Sequence, residues 1–125
     1  MAGYSGTPLP KKLGIKPESR LLLLDAPGEF LDGFERLERG PADVIVAFHT
    51  VRAELEAEMP QLREQMDPAA GLWIAWPKRA AKMDTDLTED VVREIALANR
   101  LVDNKVCAID ETWSGLRLVI RLVDR

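Results

Sequence analysis

Cysteine is almost missing from this chain. One residue, Cys107, among 125 excludes an internal disulfide and a cysteine-based zinc site, and it is compatible with a reducing compartment. Histidine is as scarce: His49 stands alone, and scattered acids around a single imidazole make no zinc or calcium spacing, so no metal is expected. No apolar run approaches the ~20 residues a bilayer needs, which excludes a membrane-spanning helix. The start, Met1-Ala2-Gly3-Tyr4-Ser5-Gly6, lacks the charged end and apolar centre of a secretory signal, so the expected location is cytoplasmic. Positive charge is not in excess either. Lys and Arg number 17 against 21 Asp and Glu, a net charge of -4, which argues against a nucleic-acid partner bound through a broad basic face.

What is present is an ordinary globular composition, 46% hydrophobic and 30% charged, in a length that suits one domain. Its centre is Gly71-Leu72-Trp73-Ile74-Ala75-Trp76, an unbroken apolar run stopped by Pro77 and followed by Lys78-Arg79-Ala80-Ala81-Lys82. Such a run reads as a strand buried on both faces, because a half-exposed strand would alternate with polar residues. Cations therefore gather where a core strand surfaces. In open α/β sheets ligands bind at the carboxyl ends of strands, so Lys78, Arg79 and Lys82 are candidate ligands for a phosphate or carboxylate.

Residues 1–19 are rich in Gly, Pro and Lys and read as an extended arm, with Leu9, Leu13 and Ile15 turned to the body and Lys11 and Lys12 solvated. Residues 20–125 read as a single α/β domain. Arg20-Leu21-Leu22-Leu23-Leu24, enclosed by Pro17 and Pro27, is too short for a helix and predicts the first strand. Phe30, Leu31, Phe34 and Leu37 recur at helical spacing until Gly40-Pro41. Asp43-Val44-Ile45-Val46-Ala47-Phe48 predicts a second strand, and Thr50 a cap for a helix carrying Val51, Leu55, Met59, Leu62 and Met66 on one face. Pro60 predicts a kink or break in that helix near Glu58-Met59.

Asp86 and Glu89 have the spacing of a capping box, with Thr88 as the alternative cap, for a helix running to Val102 and closed by Asp103-Asn104. Lys105 to Ile109 predicts the fourth strand. Alternating apolar residues from Leu116 to Leu122 predict a fifth, with Arg117 and Arg121 on its other face.

Strands alternating with helices and ending in a hairpin define a three-layer α/β, Rossmann-like or flavodoxin-like domain. Its five-stranded sheet is mostly parallel with a C-terminal antiparallel strand. Two strand orders satisfy the pattern. One is the flavodoxin-like 2-1-3-4-5. In the other, Asp43 to Leu122 resemble the second half of a Rossmann-like methyltransferase, and the last strand inserts beside the third.

Three stretches, Tyr4-Ser5-Gly6-Thr7-Pro8-Leu9-Pro10-Lys11-Lys12-Leu13-Gly14-Ile15, Trp76-Pro77-Lys78 and Asp110-Glu111-Thr112-Trp113-Ser114-Gly115-Leu116, resemble a family of small bacterial proteins, the domain of unknown function 3052 family. The likeness covers nearly the whole chain. It implies a stand-alone single-domain bacterial protein and brings no activity, cofactor or catalytic residue with it.

The methyltransferase likeness implies a glycine-rich turn after the first strand for S-adenosylmethionine (SAM) or a nucleotide. Here that turn is Asp25-Ala26-Pro27-Gly28-Glu29, with one glycine, a proline and an acid where an anionic phosphate would sit, so no cofactor is expected. Asp110 and Glu111 beside Trp113 can grip a polar ligand or do acid/base work, but adjacent residues on an extended chain diverge. The plainer reading is a turn in which Asp110 bonds local backbone and Trp113 packs over the sheet end. His49, at the end of the second strand, has the chemistry of a general base without a neighbouring nucleophile.

No catalytic set emerges. The leading expectation is therefore a non-enzymatic module that binds an anionic small molecule or a protein partner at an edge formed by Lys78, Arg79, Lys82, Asp110, Glu111 and Trp113, with His49 nearby. The alternatives are an enzyme acting on a phosphorylated or carboxylated metabolite, using His49 or Asp110 as base, and a degenerate methyltransferase relative without cofactor binding. A homo-oligomer is a further possibility, if three helices leave an apolar sheet face bare.

Overall fold

The computed structural model describes residues 7–28, 30–31 and 33–125. The all-apolar stretches become strands: β1 (Leu21–Leu24), β2 (Ala42–Phe48) and β3 (Met66–Pro77), followed by β4 (Leu101–Ala108) and β5 (Trp113–Ile120). They form one sheet in the order β1-β2-β3-β5-β4. β1 pairs β2 and β2 pairs β3 in parallel, while β5 runs antiparallel to both β3 and β4. The flavodoxin-like order is thus overturned, and the last strand inserts beside the third. β5 is the one strand that runs against the other four, and its inserted position gives it both antiparallel pairings.

α2 (Arg52–Glu64) buries Leu55, Met59 and Leu62, and α3 (Glu89–Ala98) buries Val92, Ile95 and Ala96. Both lie on one face, where they close a core over Leu22, Ile45, Leu72, Ile74 and Leu118. α2 passes through Pro60 without the expected break. Pro60 is on the exposed side, so water can take the Glu56 carbonyl that lost its donor. Thr50 does not cap α2: Val51 holds the cap position, and the Arg52 N–H donates to Asp86 Oδ1 from a distant loop (2.7 Å). With Asp86 so used, Thr88 caps α3 by accepting the Val91 N–H (3.2 Å). α3 also ends earlier than its apolar pattern suggests. Arg100 turns the chain with φ 61°, and Leu101 enters β4 fully buried.

Among the described residues the opposite face has no long helix. The chain between β1 and β2, where a helix was expected over Phe30 to Leu37, is irregular among the described residues, with Leu31 at φ 53° and Gly33 at φ 90°. Its Phe30, Leu31 and Phe34 instead pack with Phe48, Trp73, Ala75, Ile109 and Trp113. Apolar spacing of three to four residues thus marked a set of core contacts without a helix between them. The N-terminal arm completes this face through a single turn of helix, α1 (Leu9–Lys12), and through buried Leu13 and Ile15. Side-chain bonds that hold it include Trp73 Nε1–H to Leu13 O (3.0 Å), Lys12 Nζ to Ala108 O (2.8 Å) and Lys105 Nζ to Lys12 O (2.8 Å). Lys12, expected in solvent, is only 8% exposed because its stem covers the sheet and its ammonium caps a strand-end carbonyl. The arm stretch before Thr7 and residue Glu29 lie outside the described residues.

Candidate functional site

At the carboxyl end of β3 the chain leaves the sheet at Pro77, and the Lys78 N–H donates to Thr112 O (2.7 Å), tying this exit to the β4–β5 connection. Arg79–Ala81 makes a short 3-10 turn closed by Lys82 at φ 55°. A cleft of about 490 Å3 opens there, walled by Trp76 and Leu87 and carrying Lys78, Arg79, Thr88 and Ser114. Arg79 is exposed and has no ion-pair partner among the described residues. Glu89, the one carboxylate among the described lining residues, is engaged by Arg93. The cleft therefore presents cations and hydroxyls that a small anion can use. Lys82 is exposed and outside the lining.

A second cleft, of about 510 Å3, lies at the ends of β1 and β2 and shares no lining residue with the first among the described residues. Its charge is opposite. Asp25, Glu54 and Glu58 surround His49, with Phe48 and Trp113 as apolar wall. His49 is only 7% exposed, and its Nε2 lies 3.2 Å from Glu58 Oε1. Glu54 and Glu58 are one helical turn apart on α2 and so face the same way, a spacing present in the sequence although neither residue was among the expected ligands. Trp113 is buried, edge-on to Phe48 at 5.1 Å, and Phe48 is edge-on to Phe30 at 5.0 Å.

The remaining expected residues have structural employment or none. Asp110 Oδ1 accepts the N–H groups of Thr112 and Trp113, each at 2.8 Å, so this carboxylate shapes the β4–β5 turn, in line with the plainer reading. Glu111 is exposed and outside both clefts. Burial pushes the Cys107 thiol up, outweighing the opposing pull of Lys12, Lys105 and Lys78, which disfavours the nucleophilic thiolate. No group of His, Cys, Asp and Glu among the described residues is arranged to hold a metal ion. The combination needed by the enzyme reading, a base facing Lys78 or Arg79, is not assembled: His49 and the two cations line different clefts.

This strand order and mixed sheet define a Rossmann-like α/β protein of the kind found in methyltransferases. LepI in complex with SAM superposes with a TM-score of 0.58 at 13% identity, over 90% of this chain and 39% of LepI. Magnesium protoporphyrin IX methyltransferase from Synechocystis PCC 6803 with bound SAM gives 0.54 at 15%, over 70% of this chain and 46% of that enzyme. The B. subtilis tRNA methyltransferase TrmK gives 0.54 at 10%, over 90% and 65%. At such identities the likeness is one of fold. This chain spans less than half the length of the first two and about two thirds of TrmK. No protein-family model and no curated relative matches the sequence.

The residues present do not fit SAM or a dinucleotide held in the doubly wound manner. That arrangement needs a sheet extending to both sides of the first strand, so that a crevice opens where the order reverses, and a glycine-rich turn leading into a helix whose N-terminus faces the ligand. Here no further strand lies beyond β1 among the described residues, and its outer edge carries only an isolated parallel bridge from Leu21 to Arg36. After β1 the chain passes through Asp25 at φ 57°, Pro27 and Gly28 into an irregular connection, not a helix, and that connection returns to β1, with the Leu37 N–H bonded to Leu21 O (2.7 Å). Its apolar side chains occupy the core.

Proposed function

We propose that the protein is a single-domain α/β binding module that takes a small anionic molecule at the carboxyl end of β3, and that it resembles methyltransferases in its sheet but not in cofactor use. Membership of the small bacterial family that the sequence resembles belongs to the same proposal. The observation that carries it is Arg79, without an ion-pair partner among the described residues, beside Lys78 in a cleft whose carboxylate is already engaged. The location agrees with the general preference for ligands outside the carboxyl ends of strands.

The test is thermal unfolding against a panel of phosphorylated and carboxylated metabolites. A ligand at 100 times its Kd adds about 2.7 kcal/mol and raises the midpoint by several degrees. The expected result is a rise with one anionic class that disappears in a Lys78→Ala/Arg79→Ala double variant. If no compound gives a rise, or if every rise survives undiminished in the double variant, the reading is overturned in favour of a protein partner on this edge.

A further inference from the structure

A second group of cations, which the carboxyl edge does not include, lies on the arm-covered face. In the β4–β5 ladder Lys105 stands directly opposite Arg117. Like charges at directly opposed positions repel, and sheets normally avoid them. The pairing is produced by a bulge: the register slips between Asp103 and Lys105, so Asn104 is the extra residue and Lys105 takes the place across from Arg117.

Arg117 is set in place by a glycine. Its guanidinium lies over the β3 backbone at Gly71, where an added Cβ would come within 2.5 Å of Nε and 2.8 Å of Cζ. The guanidinium is half-buried, and its one hydrogen-bond partner among the described residues is Asn104 Oδ1 at 3.3 Å, with no carboxylate of those residues in reach. Burial together with the nearby Arg125 lowers its pKa, the direction expected of a cation without a counter-charge.

Two clefts, of about 470 and 270 Å3, flank the bond between Lys105 and the arm, and both are lined by Lys11, Lys12 and Lys105, the smaller also by Arg117. Neither lining contains an Asp or Glu among the described residues, although the chain has 21 of them and a net charge of -4. The bonds from Lys12 to Ala108 and from Lys105 to Lys12 account for these two lysines as fasteners of the arm. They do not account for Arg117, nor for Lys11, which is exposed and has no partner among the described residues. Charges withdrawn from water are normally compensated, and a planar guanidinium beside ammonium groups matches a phosphate.

We propose that Arg117, Lys105 and Lys11 form a site for the phosphate or pyrophosphate group of a small molecule, on the sheet face beneath the arm and separate from the cleft beyond β3. An anion there relieves the repulsion across the ladder and links the arm to β4 and β5.

Titration of the whole chain with inorganic pyrophosphate, followed by calorimetry and by thermal unfolding, tests this. The wild type should bind and unfold at a higher temperature. Lys11→Ala, a change at an exposed side chain, should weaken binding by about tenfold, the worth of one charged hydrogen bond. Arg117→Gln should abolish binding while leaving the ligand-free protein as stable as the wild type or more so, because it removes an uncompensated charge; a purely structural arginine would lower the midpoint. Arg79→Ala should bind pyrophosphate unchanged, which separates this site from the one beyond β3. The proposal is overturned if the wild type does not bind, if Lys11→Ala binds as well as the wild type, or if Arg79→Ala is the variant that loses binding.

Discussion

The two faces of the sheet are closed by different means. On one, α2 and α3 present Leu55, Met59, Leu62, Val92 and Ile95, each element supplying its own backbone hydrogen bonds and an apolar stripe. On the other, a one-turn helix, an extended arm and an irregular connection bring single side chains from far apart in the chain, held in part by side-chain bonds to carbonyls. A helix folds and packs as a unit, whereas an arm can leave its contacts without unravelling the sheet. The arm face holds the clefts lined by Lys11, Lys105 and Arg117, while the cleft with Lys78 and Arg79 borders the start of α3 and the one with His49 borders α2.

A matched pair of truncations gives the largest effect and can break this comparison. Leu62 and Leu13 are both almost fully buried, one under each cover. Leu62→Ala should lower global stability by about 2–5 kcal/mol in denaturant unfolding. Leu13→Ala should cost clearly less globally, because the arm detaches first, and should speed hydrogen exchange in the arm selectively. Equal global losses would mean that the arm is as integral to the fold as α2.

A smaller effect comes from Trp73→Phe. It removes the indole N–H and leaves Leu13 O without its donor in a buried setting, a loss of about 1–3 kcal/mol. If the bond is what fastens the arm, protection at the Ile15 amide, which donates to Pro10 O, falls with it.

The smallest effect tests a join that belongs to neither cover. Asp43 accepts the Arg20 N–H and guanidinium, both at 2.8 Å, linking the starts of β1 and β2. The Arg20 hydrogen bonds hold the Asp43 carboxyl below its ordinary value of 3.8. A depressed folded-state pKa contributes stability that is complete above 3.8 and is lost as the pH falls through the folded value. Asp43→Asn should therefore cost up to about 1 kcal/mol at neutral pH, given the exposure of the pair, and nothing at a pH low enough to protonate the native carboxyl. Urea midpoints of both proteins over this range decide it; a difference that persists in acid would show that the charge is irrelevant.

Much of the fold is legible in the residues alone. Runs such as Leu21–Leu24 and Leu72–Trp76 bury both faces and so announce central strands, and the spacing of Leu55, Met59 and Leu62 announces a helix with one dry side. The misreadings share a cause. Phe30, Leu31 and Phe34 have helical spacing, yet they serve as separate contacts with Phe48 and Trp73; Leu101 and Val102 continue the stripe of α3, yet belong to β4. Spacing reports which residues will be dry and leaves open what backbone carries them there. The site is legible only in part. Lys78 and Arg79 stand out as cations at a strand end, and Asp110 as a turn residue. Glu58 beside His49 and Lys105 opposite Arg117 do not, because each meeting depends on how separate elements align.

By itself the sequence determined the positions of the strands and two main helices, the dry residues and the excess of acid over base, since these follow from local propensity, alternation and composition. Only the tertiary structure decided that β5 would insert between β3 and β4, that the arm would serve as the second cover, and that Gly71 of β3 would carry the Arg117 guanidinium of β5. Those outcomes depend on contacts between residues far apart in the chain, and such contacts form only when the elements pack together.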